Sequence, residues 1–369
     1  MTKHYDVRVM QSYPLHSLKT GSWFKLICGA SYQHLPAVRS LALAYSLAGA
    51  DCIDVAADPA VIAAAKEGIA VAKELKPSIA SPWLMVSVND GEDPHFRKAE
   101  FDATQCPTDC PQPCVKVCPA DAIALHFGGV IDSLCYGCGR CEPICPQNLI
   151  ATHSYLSSLS DVVTWIEPLG VDAIEIHTQV GHDAEFARVW QKIAPISGKL
   201  KLLAISCTDA PNVIEYLRSL YELISPLPCP LIWQTDGRSM SGDIGKGTTH
   251  AAISFAQKVI EAQLPGYIQL AGGTNDYTVN KLKQAKMLGT FDSAEPNLVS
   301  GLAYGSYARA ILSPTIALLE TELQSNQVKS TLDRPMNQLN LKLEQNRKLL
   351  EQAVDTAKQL VSQIKTAHS

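Results

Sequence analysis

Eight cysteines fall within forty residues, as Cys106-Pro-Thr-Asp-Cys110-Pro-Gln-Pro-Cys114-Val-Lys-Val-Cys118-Pro119 and Cys135-Tyr-Gly-Cys138-Gly-Arg-Cys141-Glu-Pro-Ile-Cys145-Pro146. The second run has the spacing C-x2-C-x2-C-x3-C-P, in which three close thiolates grip one iron–sulfur cubane and the fourth ligates its neighbour. The proline after each run turns the chain and offers no N–H. This spacing predicts two clusters. Cys135, Cys138 and Cys141 take Cys118 as fourth ligand of a [4Fe-4S] cluster, and Cys145 crosses back to join Cys106, Cys110 and Cys114. The two half-motifs repeat, Cys118-Pro-Ala-Asp-Ala-Ile matching Cys145-Pro-Gln-Asn-Leu-Ile at an offset of 27 residues.

The first run is wider, C-x3-C-x3-C-x3-C. Its extra residues are mostly turn formers, so the loop can bulge and still present three sulfurs, or it can hold a three-iron [3Fe-4S] cluster instead. A zinc site needs the same thiolates, but the second run is the pattern of iron–sulfur ligation. Disulfides fit less well, because no apolar signal core follows Met1-Thr-Lys-His-Tyr-Asp6.

The chain has 369 residues, a formal charge of −5 and no block of Lys or Arg. Nucleic acid and anionic membranes are therefore poor partners, and no apolar stretch is long enough to span a bilayer. A cytoplasmic protein is expected, several times larger than a ferredoxin.

Outside the cysteines, short apolar runs alternate with helical periodicity. Eight strands are expected, at Trp23 to Cys28, Cys52 to Ala56, Trp83 to Val88, Ala173 to His177, Leu200 to Ser206, Pro230 to Gln234, Tyr267 to Leu270 and Leu298 to Ala303. Runs so continuously apolar belong to a parallel sheet covered on both faces. Leu47-Ala-Gly-Ala-Asp-Cys-Ile-Asp-Val also echoes Pro168-Leu-Gly-Val-Asp-Ala-Ile-Glu-Ile at an offset of 121 residues. Eight βα units predict a (β/α)8 barrel, with an open doubly wound α/β sheet as the alternative. A barrel-like domain of 1–92 and 149–323 would carry a ferredoxin-like module, 93–148, after its third strand. Loops after strands form the ligand-binding face of such barrels, so the clusters should sit beside its mouth.

That mouth should collect Asp54, Asp58, Asn89, Asp90, His177, His182, Thr208, Asp209, Gln234, Asp236 and Arg238, all at strand ends. Any one of them can be polar only because it meets water; their shared placement marks a pocket. Two glycine-rich turns are candidate phosphate or cofactor sites. One holds Gly242, Gly245, Lys246, Gly247 and Thr248 and runs into a helix capped by Thr248 or Thr249. The other is Gly272-Gly273 after the seventh strand. The remaining cysteines, Cys28, Cys52, Cys207 and Cys229, read as core filler without a ligand role. Residues 324–338 read as a linker before an amphipathic helix with the stripe Leu343, Leu350, Val354, Ala357, Val361 and Ile364, which needs a partner in cis or in a second chain.

The two cysteine runs, with Gly21-Ser-Trp-Phe-Lys-Leu-Ile-Cys-Gly-Ala and Thr235-Asp-Gly-Arg-Ser-Met-Ser-Gly-Asp-Ile-Gly, resemble the cyanobacterial light-dependent period family of iron–sulfur proteins over nearly the whole chain. The resemblance implies a redox sensor or adaptor that reports the state of the plastoquinone pool to circadian clock proteins, namely the oscillator and its input and output histidine kinases. It requires no catalytic turnover. The alternative is an oxidoreductase whose clusters feed a flavin or substrate in the barrel mouth.

Overall fold

The structure, a computed structural model, describes residues 14–91, 96–118, 120–154, 158–237, 248–288, 298–329 and 342–367. Strands β1 (Trp23–Ile27), β2 (Cys52–Ala56) and β3 (Trp83–Asn89) precede four short ones, β4 (Arg97–Glu100), β5 (Ile123–Ala124), β6 (Gly129–Val130) and β7 (Ala151–Ser154). The chain then returns to β8 (Ala173–His177), β9 (Leu202–Thr208), β10 (Leu231–Asp236), β11 (Tyr267–Ala271) and β12 (Gly301–Tyr304). The eight strands other than β4 to β7 pair in parallel in the order β1-β2-β3-β8-β9-β10-β11-β12 and close on β1. The sheet is therefore a closed barrel and not an open doubly wound one. Closure depends on Gly301, opposite Trp23 in the register. A Cβ there would lie 2.5 Å from both the Cβ and the carbonyl oxygen of Trp23.

Period-two alternation sorts the strand residues into two environments. Phe24, Leu26, Ile53, Val55, Val86, Ile174, Ile176, Leu203, Ile205 and Leu302 face outward into the core shared with the helices. The inward positions form layers. At the base, Trp23, Cys52, Met85, Ala173, Leu202, Ala204 and Ile232 make a separate apolar cluster, plugged by Leu18 of the helix Pro14–Lys19. Above it the inward residues are polar: Lys25, Asp54, Ser87, Glu175, Ser206, Gln234 and Gln269, all buried. Cys28 and Cys207 pack in the outer core and Cys52 in the base, with Cys229 partly buried against the outer core.

The insertion after β3 stands on an antiparallel stem, β4 against β7, which carries it past residue 148 to Ser154. A second hairpin, β5 against β6, and the short helix Pro113–Val117 fill it out. Its small core contains Ala99, Ala122, Ile123 and Ile150 together with Cys114, Cys135, Cys141 and Cys145. Lys98 fastens it to the barrel. The buried Nζ donates to Gln33 Oε1 at 2.7 Å and to Asp132 Oδ2 at 2.7 Å, and Gln33 in turn donates to Asp58 at 3.1 Å.

At the C-terminal end, the segment expected to be a linker is helical through Lys329, because the helix after β12 runs unbroken from Ser306 to that residue. Residues 330–341 lie outside the described residues. The final helix, Arg347–Lys365, packs in cis against Leu35–Ala48 and Ser306–Lys329. Its buried stripe is Leu349, Ala353, Ala357, Leu360, Val361 and Ile364, one step round from the expected Leu350 and Val354. Glu344 accepts from both terminal nitrogens of Arg39, at 2.9 and 2.6 Å, which pins the helix entrance to the barrel.

Candidate functional site

Cys118, Cys135, Cys138 and Cys141 line one small pocket of the insertion, walled by Ala99, Ala122, Ile123 and Val130 and by the glycines beside Cys138. Backbone N–H groups point at its sulfurs: Ala122 N donates to Cys118 Sγ at 3.2 Å and Ala99 N to Cys135 Sγ at 3.4 Å. Burial, then the charges of Cys138, Cys135 and Cys118, push the Cys141 thiol up to about 12. Four thiols whose negative charges oppose one another form a donor set that a cationic metal centre stabilises.

The other four also share an electrostatic neighbourhood. Cys106 is raised by desolvation and then by Cys110 and Cys145, and Cys114 feels both Cys145 and Cys106. Cys145 differs in direction. Burial raises its thiol, but backbone N–H groups of Leu149, Gln147, Ile150 and Asn148 outweigh that and hold it below the ordinary value. The loop curls round the sulfur because Asn148 adopts φ 50°, and Asp121 does the same beside Cys118 at φ 47°. Asp121 and Asn148 are equivalent under the 27-residue repeat, so the sequence echo is also a conformational one.

Among the described residues, no three His, Cys, Asp or Glu side chains stand close enough to hold a single metal ion. A multi-iron cluster asks for something else, sulfurs spread round a pocket with one thiolate per iron. The residues fit that group.

Tyr136 joins the cysteine pocket to the barrel. It lines that pocket and also the cavity in the barrel mouth. The Arg309 guanidinium lies 4.2 Å from the centre of its ring, a cation–π contact. Arg309 is itself fixed by donating to the carbonyls of Ile27 at 2.9 Å and Cys28 at 3.0 Å.

The floor of the mouth is a buried polar network. Lys25 Nζ donates to Glu175 Oε2 and lies 3.9 Å from Asp54 Oδ2. Glu175 Oε1 accepts from Gln234 at 2.7 Å and stands 3.1 Å from His177 Nε2. Ser87 donates to Asp54 at 2.9 Å, and Ser206 donates to Asp236. Gln269 donates to Gln234 at 2.6 Å and accepts from Trp23 Nε1 at 2.6 Å. Burial raises both carboxyls, but Lys25 and His177 more than reverse this for Glu175 and hold it at about 2. Asp54, with burial and Glu175 against it, is pushed up to about 7. A buried carboxyl that exchanges its proton near neutrality beside a cavity is equipped for acid–base work.

Of the strand-end residues expected at the mouth, Asp54, His177, Gln234 and Asp236 do meet there, with Gly272 and Gly273. Asp90 and His182 form a separate pair at 2.9 Å, joined by Thr178 and through it Tyr216. Asp58 caps a helix by accepting from Ala60 N at 2.8 Å, Asn89 donates to the Gly91 carbonyl, and Asp209 takes an outer ion pair with Lys258 at 2.6 Å. Thr208, half-buried, does not line the cavity. Arg238, Gly242, Gly245, Lys246 and Gly247 lie outside the described residues. Thr248 opens the helix Thr248–Glu261. Sequence reading missed Lys25 and Glu175, although a lone charge at the inward step of an apolar strand was a visible signal. It also missed Arg309 and Tyr136, which only the closed barrel brings together.

A parallel barrel with a cysteine-rich module on the loop after its third strand defines an iron–sulfur (β/α)8 protein. The chain belongs to the light dependent period A family. Residues 106–156 match the LdpA Fe-S cluster-binding domain, and residues 165–363 match the light dependent period A C-terminal domain. Light dependent period A of Synechococcus elongatus is 49% identical over 356 residues, 96% of this chain and 95% of that protein. Among solved structures, the chain is similar to N-acetylneuraminate lyase from Fusobacterium nucleatum, at 10% identity and TM-score 0.36, covering 93% of this chain and 99% of the lyase. It is also similar to the homocysteine methyltransferase MmuM from Escherichia coli, at 13% identity and TM-score 0.39, covering 80% and 97%. At those scores the likenesses add nothing to the strand order. Among the described residues, no helix is long and apolar enough to cross a membrane.

Proposed function

We propose that this chain is an iron–sulfur redox sensor and adaptor that reports the plastoquinone-linked redox state of the cell to circadian clock proteins, the oscillator and its input and output histidine kinases. Cys118, Cys135, Cys138 and Cys141 would hold a [4Fe-4S] cluster. Cys106, Cys110, Cys114 and Cys145 would hold a second, [4Fe-4S] or [3Fe-4S]. When bound, such clusters supply reversible one-electron chemistry. The protein's task is then to turn a change of one charge into a change of surface, and a redox change can shift an equilibrium only by the difference in its interactions with the two states.

The observation that carries this reading is Tyr136, which lies between Cys135 and Cys138 in sequence and is stacked on Arg309, a residue of the helix after β12 that grips the β1 loop. Charge added beside Tyr136 would draw on the Arg309 guanidinium and so on that loop and helix. Affinity for a clock partner, measured on anaerobic protein with clusters oxidised and then reduced, tests the proposal. A difference between the two states supports it. Equal affinity together with equal stability would remove it.

One observation favours a second reading, an oxidoreductase: Asp54 titrates near neutrality beside His177 in the mouth. Flavin bands in the absorption spectrum of anaerobically purified protein would favour that enzyme. A spectrum of sulfur-to-iron charge transfer alone would favour the sensor.

A further inference from the structure

A second cleft lies on the seam between the insertion and the barrel. It encloses about 160 Å3, against about 50 Å3 for the cavity in the mouth. Leu41 and Ile316, from the helices Leu35–Ala48 and Ser306–Lys329, line it together with Leu134 of the insertion. Its insertion wall also holds Tyr136 and Arg140, and Leu134, Tyr136 and Arg140 each stand next to Cys135 or Cys141 in sequence. Ala120 and Tyr136 line the four-cysteine pocket as well. A single layer of residues therefore parts the cleft from those sulfurs.

Two donors in this cleft are unused. Among the described residues, neither the Tyr32 hydroxyl, from the loop after β1, nor the Arg140 guanidinium, from the insertion, makes a hydrogen bond or an ion pair. Burial outweighs the pull of Arg309 and raises the Tyr32 phenol above its ordinary value, so it stays a donor. The carboxylates Asp121 and Glu320 match the guanidiniums Arg140 and Arg309 in number, and burial lowers His34 towards its neutral form. The cleft thus has no net charge to attract an ion. We propose that it binds the ring of a quinone, whose carbonyls at opposite ends accept from Tyr32 on the barrel side and Arg140 on the insertion side. A neutral planar ring with an acceptor at each end satisfies both donors without burying a further charge. The volume holds about a dozen waters, enough for a quinone ring with methyl substituents. This site rests on the redox reading for its biological sense and deepens it by naming the ligand that would meet these cysteines.

Equilibrium dialysis of the oxidised, anaerobic, cluster-loaded full chain against tetramethyl-1,4-benzoquinone tests the assignment. No clock partner is present, so failure of this site and failure of the sensor are distinguishable. The fully substituted ring offers no open carbon to which thiols could add. One quinone per chain is expected to bind with a Kd below about 100 μM, and benzoate at least about tenfold more weakly because its charge must be buried. Tyr32→Phe removes only the unused hydroxyl and should weaken quinone binding about fivefold with the urea unfolding midpoint unchanged. Ala317→Trp fills the cleft from an exposed position of the helix Ser306–Lys329 and should abolish binding. No saturable quinone binding, benzoate binding as tightly as the quinone, or unchanged affinity in either folded variant would overturn the proposal.

Discussion

Raising the pH through neutrality should destabilise the folded protein through Asp54. Its carboxyl is buried inside the barrel, and burial with the Glu175 charge pushes it up to about 7, although Lys25 and Ser87 act the other way. In an unfolded chain the same carboxyl titrates at about 3.9. Between those values the folded state keeps a proton that the unfolded state has lost. Stability from this group is therefore highest in acid and falls as pH rises towards 7. Glu175 has the opposite sign. Held at about 2 by Lys25 and His177 despite its burial, it contributes fully above its ordinary value and loses that contribution only as pH falls towards 2. It is silent near neutrality, so from about pH 6 to about pH 8 the Asp54 effect stands apart and amounts to ~1.4 kcal/mol. Asp54→Asn keeps the shape of the protonated carboxyl and removes the titration. Anaerobic urea unfolding followed by tryptophan fluorescence at both pH values, on both proteins, isolates the difference. Parallel pH dependence in the two proteins, or a wild-type excess of stability at the higher pH, would refute the charge assignment.

Three further outcomes follow from packing. Gly301→Ala puts a methyl 2.5 Å from the Trp23 carbonyl oxygen and should cost about 3 kcal/mol in chemical denaturation, since backbone rather than a flexible side chain must move. Leu360→Ala removes a buried contact of the final helix and should cost about 3 kcal/mol. A cost that depends on protein concentration would mean the helix packs on a second chain. Lys98→Met removes the buried ammonium shared by Gln33 and Asp132. With Asp132 half exposed, the loss should be about 2 kcal/mol, read as faster hydrogen exchange in 97–154 with the barrel strands unchanged.

Strand positions were legible because parallel strands buried on both faces leave unbroken apolar runs, and the ends that shifted were those without punctuation. Leu298 begins no strand because the next residue, Val299, spends its N–H on the Met287 carbonyl outside the sheet, and the β12 ladder starts at Gly301. The cysteines were legible because ligand spacing is local. The mouth was legible only in part. Asp54, His177, Gln234 and Asp236 were legible as polar residues of the strands, whereas Lys25 and Glu175, in the same inward layer as Asp54 and Gln234, were disguised by apolar neighbours. Arg309 is separated by 173 positions from the Tyr136 ring it covers, and no local pattern marks that pair. In the final helix Ala357, Val361 and Ile364 are buried as expected and only the first turns differ, Leu349 and Ala353 facing inward in place of Leu350 and Val354, since Leu349 and Leu350 are equally apolar and only the docking surface of Leu35–Ala48 chooses between them.

What the eight cysteines hold decides the chemistry of this protein. Iron and acid-labile sulfide should be counted on anaerobically purified protein, with EPR spectra of its oxidised and reduced forms. About seven or eight irons per chain, with a reduced signal from interacting clusters, is the predicted result. Replacing Cys118 should remove one cluster's signal and leave the other. Zinc in place of iron, or a single cluster lost entirely when any one of the eight is replaced, would contradict it.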